Sequence, residues 1–163
     1  MNASASAGRP TTLDAATVHM AFGNIAYLVM DQRRLEHLAT LNLPIRGRAV
    51  LELGAGAGGL TSFFINRDCE VTAVEPRAAS LAVLADRFPS VRAIELDVES
   101  DVVATLPKSD IVFAYGLLYH LAEPAAALKS FAALTDGMLL LETRVDPSPE
   151  RIFYRRLERT EFP

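Results

Sequence analysis

Arg48-Ala49-Val50-Leu51-Glu52-Leu53-Gly54-Ala55-Gly56-Ala57-Gly58-Gly59 is the stretch on which the fold turns. A short apolar run, Arg48–Leu53, ends in four glycines at 54, 56, 58 and 59. Such a run bounded by glycine reads as a buried strand followed by a turn. Glycine permits positive φ and lets a ligand approach the backbone closely. Behind the glycines, Gly58–Arg67 is expected to be a helix, and the first N–H groups of a helix have no partner within it.

Outward from this stretch, apolar runs and helical patterns alternate. Glu70–Glu75 (EVTAVE), Val91–Glu95, Asp110–Tyr115 (DIVFAY) and Met138–Glu142 (MLLLE) read as further strands. Arg77–Phe88 reads as a helix ended by Pro89-Ser90, Asp101–Leu106 as a short helix, and Pro124–Leu134 as an alanine-rich helix. Proline in the first turn of that last helix costs little, because its missing N–H would be unpaired anyway. Strands alternating with helices imply parallel βαβ units and an α/β, doubly wound, mostly parallel Rossmann-like sheet of about five strands. Strands that are apolar throughout fit a sheet covered on both faces. In such sheets ligands bind at the carboxyl ends of the strands, near the switch in strand order.

The remaining chain frames this core. Residues 1–12 are expected to be a disordered lead-in, and 13–163 a single domain. Within it, 13–43 form an N-terminal helical cap broken near Gly23-Asn24, 48–143 the core, and 146–163 a C-terminal helix over Arg151–Arg159. The 163 residues suit one domain, and half of them are apolar, enough for a sizeable core. Net charge is −4, which disfavours a broad nucleic-acid footprint. A lone cysteine, Cys69, excludes an intrachain disulfide and a cysteine-based metal framework, and fits a reducing cytoplasm. No apolar run approaches the roughly 20 residues that span a bilayer, so no membrane partner is expected.

The glycine spacing admits two ligands. Gly54, Gly56 and Gly59 satisfy the GxGxxG dinucleotide fingerprint, while Gly54, Gly56 and Gly58 satisfy a GxGxG loop. A glycine-rich turn without a ligand is the plain alternative. Glu75, 21 residues past Gly54, can accept from both ribose hydroxyls, which serves either cofactor. Three features favour S-adenosylmethionine (SAM) over NAD. Glu52 lies inside the first strand, and a buried carboxylate needs partners such as a ligand amino group or a loop N–H. Asp97 follows the third strand, where it can accept from an adenine amino group while the Val98 N–H faces a ring nitrogen. The chain also leaves no room for a separate hydride-acceptor domain.

At this point the residues resemble a known family. Val50-Leu51-Glu52-Leu53-Gly54-Ala55-Gly56-Ala57-Gly58 is similar to the first motif of class I SAM-dependent methyltransferases. Val74-Glu75-Pro76 and Leu96-Asp97-Val98 resemble the two segments that follow it. Gly116-Leu117-Leu118-Tyr119-His120-Leu121-Ala122-Glu123-Pro124 resembles a GxLYHLxxP segment of a subgroup with small-molecule methyltransferases and carboxymethyltransferases acting on tRNA wobble uridine. The resemblance covers about Val50 to Thr143. It implies that Glu52, Gly54, Ala55, Gly56 and Gly58 cradle the methionine and adenosine parts. It further implies that Glu75 and Pro76 hold the ribose, Asp97 and Val98 the adenine, and Tyr115 and Gly116 the methionine end. Family members carry two more strands after the fifth. Only residues 143–163 follow Glu142, so those two strands are expected to be missing.

Methyl transfer from a sulfonium leaves most of the chemistry to the cofactor, with S-adenosylhomocysteine (SAH) as product. A base is needed only where the acceptor must lose a proton. His120, after the fourth strand, is the candidate base, with a helix-capping histidine as the bland reading. Tyr119 can orient an acceptor or belong to the core. His19, near Phe22 and Tyr27, is a candidate lid residue, whereas His37 sits in a charged stretch that suits the surface. No His, Asp or Glu cluster has metal-ligand spacing, so no metal is expected. Arg151, Arg155, Arg156 and Arg159 alternate with acids, as on a solvated helix face. The expected activity is methyl transfer to a small molecule, with tRNA a lesser acceptor and a homodimer compatible. The alternatives are a non-catalytic SAM-binding module working through a partner chain, and an NAD-binding oxidoreductase.

Overall fold

The computed structural model describes residues 17–18 and 23–147. The N-terminal helix α1 spans Ile25–Thr40. Asn24 caps it, its side-chain oxygen accepting from the Ala26 N–H at 2.9 Å. Asparagine is a favoured cap because it satisfies an N–H that the helix cannot. The break expected near Gly23-Asn24 is therefore the start of this helix. Only residues 17–18 of the expected first helix are described, and they are helical. The expected C-terminal helix lies outside the described residues.

The core follows in the anticipated order: β1 Ala49–Leu53, α2 Ser62–Ile65, β2 Glu70–Glu75, α3 Ala78–Arg87, β3 Arg92–Glu95, β4 Ser109–Tyr115, α4 Pro124–Ala133 and β5 Thr135–Glu142. Short 3₁₀ turns cover Asp101–Thr105 and Leu118–His120. The sheet is wholly parallel, in the order β3-β2-β1-β4-β5. The chain steps outward from β1 to β3 and then returns to lay β4 on the other side of β1. That reversal places the switch point between β1 and β4, at the glycine loop.

Two expectations need correction. The helix read over Gly58–Arg67 shrinks to the single turn Ser62–Ile65. Gly54, Gly56 and Gly58 all take positive φ, so the chain cannot enter a right-handed helix until it has left them. Asp68, also at positive φ, follows the turn closely. The fifth strand starts at Thr135 rather than Met138. Asp136 and Gly137 carry no apolar signal, yet they extend the strand alongside β4 across an irregularity near Ser109–Ile111.

Alternation along the strands divides the core between the two faces of the sheet. Val50, Val71, Ile111 and Phe113 join Leu38 of α1 and Phe63 and Phe64 on one side. Leu51, Leu53, Val74, Val112 and Ala114 meet Ala127 and Phe131 of α4 on the other. Phe64 packs edge-on against Phe113, ring centres 4.8 Å apart, and Phe113 stacks on Tyr115 at 4.4 Å. This aromatic row runs from α2 towards the carboxyl end of β4.

Candidate functional site

The glycine loop leaves β1 at Leu53 and is tied at once to β2. The N–H groups of Gly54 and Ala55 both donate to the Val74 carbonyl, at 2.8 and 3.1 Å. Left-handed backbone falls on Gly54, Gly56 and Gly58, with φ of 69°, 56° and 78°. Gly59 serves a different purpose. A Cβ there would collide with the Asp31 carboxylate of α1, so its lack of a side chain is what lets α1 approach. The GxGxG residues thus share one conformational role, and the fourth glycine is a packing contact.

Three carboxylates lie in or just after β1, β2 and β3, each with protein partners. Glu75 ends β2 and is buried. Its Oε2 accepts from the Gly56 N–H at 3.0 Å, and its Oε1 from the Arg77 N–H at 3.2 Å and Arg77 Nε at 2.6 Å. The loop is thereby held by β2 through a side chain as well as through backbone. Glu52 is also buried, on the β1 face that meets α2. Its partner is neither a ligand nor a loop N–H, as the sequence suggested, but the Thr61 hydroxyl, which donates to Oε2 at 2.7 Å. Burial pushes the Glu52 carboxyl up to about 7, the Thr61 bond opposes this, and the Asp31 charge adds to it. Asp97 is exposed after β3, and its Oδ1 accepts from the Glu99 N–H at 2.9 Å, closing a local turn. Val98 beside it is buried, and Pro76 is exposed.

On the far side of the switch point, Tyr115 and Gly116 end β4. Tyr115 is buried, which raises its phenol pKa, and Glu142 raises it further. Gly116 has φ 68° and donates its N–H to the Glu142 carbonyl at 3.1 Å. Tyr119 and His120 lie in the 3₁₀ turn beyond, with ring centres 4.3 Å apart. Tyr119 is half-buried beneath the Arg144 guanidinium, 4.5 Å from its ring centre, whereas His120 is exposed.

The sequence reading placed a helical cap over residues 13–43 but singled out neither Arg34 nor Asp31 within it. Arg34 lies over Gly116, so closely that a Cβ on that glycine would sit 2.7 Å from Arg34 Nη2. The same nitrogen donates to Glu142 Oε2 at 2.7 Å, and Asp31 lies 3.6 Å from Nη1. Burial lowers the Arg34 pKa, but Glu142 and Tyr119 more than restore it, so the guanidinium stays charged. Its Nε is buried without a hydrogen-bond partner among the described residues. The helix therefore crosses the carboxyl edge of the sheet and touches both the loop and the ends of β4 and β5. Between α1 and those strand ends lies a groove of about 590 Å³, lined by Ile25, Val29, Met30, Arg33, Arg34, His37, Tyr115 and Glu142 among others. Among the described residues no group of three His, Cys, Asp or Glu side chains could hold a metal ion. No helix among them is long and apolar enough to cross a membrane.

A family model described as a methyltransferase domain matches residues 51–137, more than half of the chain. The chain belongs to the methyltransferase domain family. The match begins inside β1, takes in the glycine loop, Glu75, Asp97 and the Tyr119-His120 turn, and ends within β5. The ribosomal RNA small subunit methyltransferase A of Novosphingobium aromaticivorans is 32% identical over 84 residues, 50% of this chain and 30% of that protein. A ubiquinone biosynthesis O-methyltransferase of Alkalilimnicola ehrlichii is 30% identical over 110 residues, 62% of this chain and 42% of the relative. The N-terminal domain of EvdMO1, crystallised in the presence of SAH and D-fucose, superposes with a TM-score of 0.57 at 30% identity. That superposition covers 67% of this chain and 49% of the other. This methyltransferase domain thus spans less than half the length of each of these relatives. The magnesium protoporphyrin IX methyltransferase of Synechocystis PCC 6803 shares the fold at a TM-score of 0.59, with 17% identity over 83% of this chain and 64% of that one.

Proposed function

We propose that this methyltransferase domain binds SAM and transfers its methyl group to a small-molecule acceptor. The observation that carries the reading is the triple of left-handed glycines at the switch point, held to β2 by the buried Glu75 carboxylate. The residues present fit such a cofactor. The orphaned Arg34 Nε beside Gly116 marks a place where a ligand carboxylate would supply the missing acceptor. That is the end of the site where Tyr115 and Gly116 would meet the methionine part. Gly54, Gly56, Gly58 and the Glu52–Ala55 backbone would hold the middle of the molecule, Glu75 and Pro76 the ribose, and Asp97 and Val98 the adenine. Structures of relatives carrying SAH or SAM support the same reading.

Glu75 can serve the ribose only if Arg77 yields. A carboxylate offers about four acceptor positions. Gly56 takes one, and Arg77 takes two through its backbone and Nε. Two ribose hydroxyls therefore require the half-exposed Arg77 side chain to release Oε1, while the Gly56 bond keeps the loop in place. When bound, SAM supplies a methyl group on a sulfonium, activated without help from the protein. The chain contributes position and the exclusion of water. Arg34 and Asp31 on α1 close the edge over the loop, Tyr119 orients the acceptor, and His120 takes a proton where the acceptor has one to lose. A net charge of −4 weighs against an RNA acceptor, which needs a cationic surface.

Calorimetric titration with SAH and with NAD tests the cofactor. Saturable SAH binding at one site is the expected result. Silence with SAH together with binding of NAD would overturn the proposal in favour of an oxidoreductase domain. Transfer of a labelled methyl group to candidate acceptors then separates an enzyme from a binding module.

A further inference from the structure

The groove between α1 and the ends of β4 and β5 lies on the side of the switch point away from Glu75 and Asp97. Its composition is uneven. Along α1, Ile25 and Val29 stand one turn apart and are 78% and 46% exposed, so the described residues leave an apolar wall uncovered. Isolated exposed apolar residues are ordinary, but a wall of them along a groove marks a binding surface. One more turn along the same helix, Arg33 and His37 form the groove's other end, again four residues apart and so on one face.

The charges at the groove are segregated rather than mixed: both acids sit at Arg34, and neither reaches Arg33. Glu142 is taken by Arg34 at 2.7 Å, and Arg34 is further balanced by Asp31. Arg33 is exposed and has no ion pair or hydrogen bond among the described residues, and the same holds for the His37 imidazole. A protein of net charge −4 thus presents a basic end to an apolar wall. We infer that this groove receives the methyl acceptor, and that the acceptor is a small apolar molecule bearing a carboxylate, its body on Ile25 and Val29 and its anionic group on Arg33 and His37. An arginine binds a carboxylate in a planar, two-pronged geometry that neither an alcohol nor an amine reproduces. The assignment of the occupant as acceptor rests on the methyltransferase reading; the charge and shape preference of the groove does not.

Octanoate, octanol and octylamine share one apolar body and differ in charge, and each is titrated into the full chain with binding followed by calorimetry and amide NMR shifts. Octanoate is expected to bind about tenfold more tightly than either of the others. Its shifts should centre on Ile25, Val29, Arg33 and His37, and it should bind equally well with SAH present. Arg33→Glu, a change at an exposed position, should erase the preference for octanoate and leave octanol binding unchanged. Equal affinity for all three probes, indifference to Arg33→Glu, or displacement of octanoate by SAH would each overturn the inference. So would failure of every probe to bind, whether because residues 148–163 fill the groove or because a second copy does, the latter seen as a dimer by ultracentrifugation. If octanoate binds as described and SAH does not, the methyltransferase reading fails and with it the assignment as acceptor, while the groove's preference for an apolar carboxylate stands. If SAH binds and octanoate does not, the reverse holds.

Discussion

Glu52 enters the folded state with its carboxyl pushed up to about 7 from an ordinary value of 4.5. The folded protein therefore holds this proton more tightly than the unfolded chain does. For a group shifted in this direction, stability is greatest below the unfolded value and is lost as pH rises through the folded one. The window here runs from about pH 4.5 to about pH 7, and the loss is on the order of 3 kcal/mol. Glu52→Gln keeps an acceptor for the Thr61 hydroxyl and cannot ionise. It should raise the urea midpoint at pH 8 and lose that advantage towards pH 5. A gain of the same size at both values would show that ionisation of Glu52 is not the cause. The sequence marked Glu52 as a buried acid in need of partners, because its neighbours in the strand are apolar. It could not name Thr61, since that pairing depends on how the loop folds back over β1.

At the scale of elements, the glycine loop and the helix after it show how far periodicity reaches. The positions of the first four strands, α3 and α4 follow from runs and breakers that lie within a few residues of each other, and the structure keeps them nearly unchanged. The loop's demand for left-handed backbone overrides the helical pattern downstream and leaves one turn where three were expected. Two glycines separate the terms involved. At Gly47 (φ 71°) a Cβ would meet nothing within 4 Å, whereas at Gly58 (φ 78°) it would lie 2.9 Å from the Phe88 ring. Gly47→Ala should cost only the conformational term, ~1–2 kcal/mol. Gly58→Ala should cost more, because the Phe88 ring must also shift. Urea denaturation of the two variants checks this, and equal costs would mean that the ring moves freely.

For the molecule as a whole, binding and folding are linked. A ligand that binds only the folded protein stabilises it by ~2.7 kcal/mol at a hundred times its dissociation constant. SAH should therefore raise the melting temperature in proportion to the logarithm of its concentration, and NAD should not. A melting temperature unmoved by SAH would contradict the cofactor reading independently of calorimetry. The sequence by itself determined the parallel sheet, the position of the loop, and the placing of Glu75 at the end of β2. Each of these is written in short-range patterns of apolar residues, glycines and strand ends. Only the tertiary structure decided that α1 crosses the sheet edge, that Arg34 pairs with Glu142 across 108 positions of chain, and that a groove with a basic end lies beside them. Such contacts arise from the packing of whole elements, and no local preference of residues 31–34 or of Glu142 encodes the meeting.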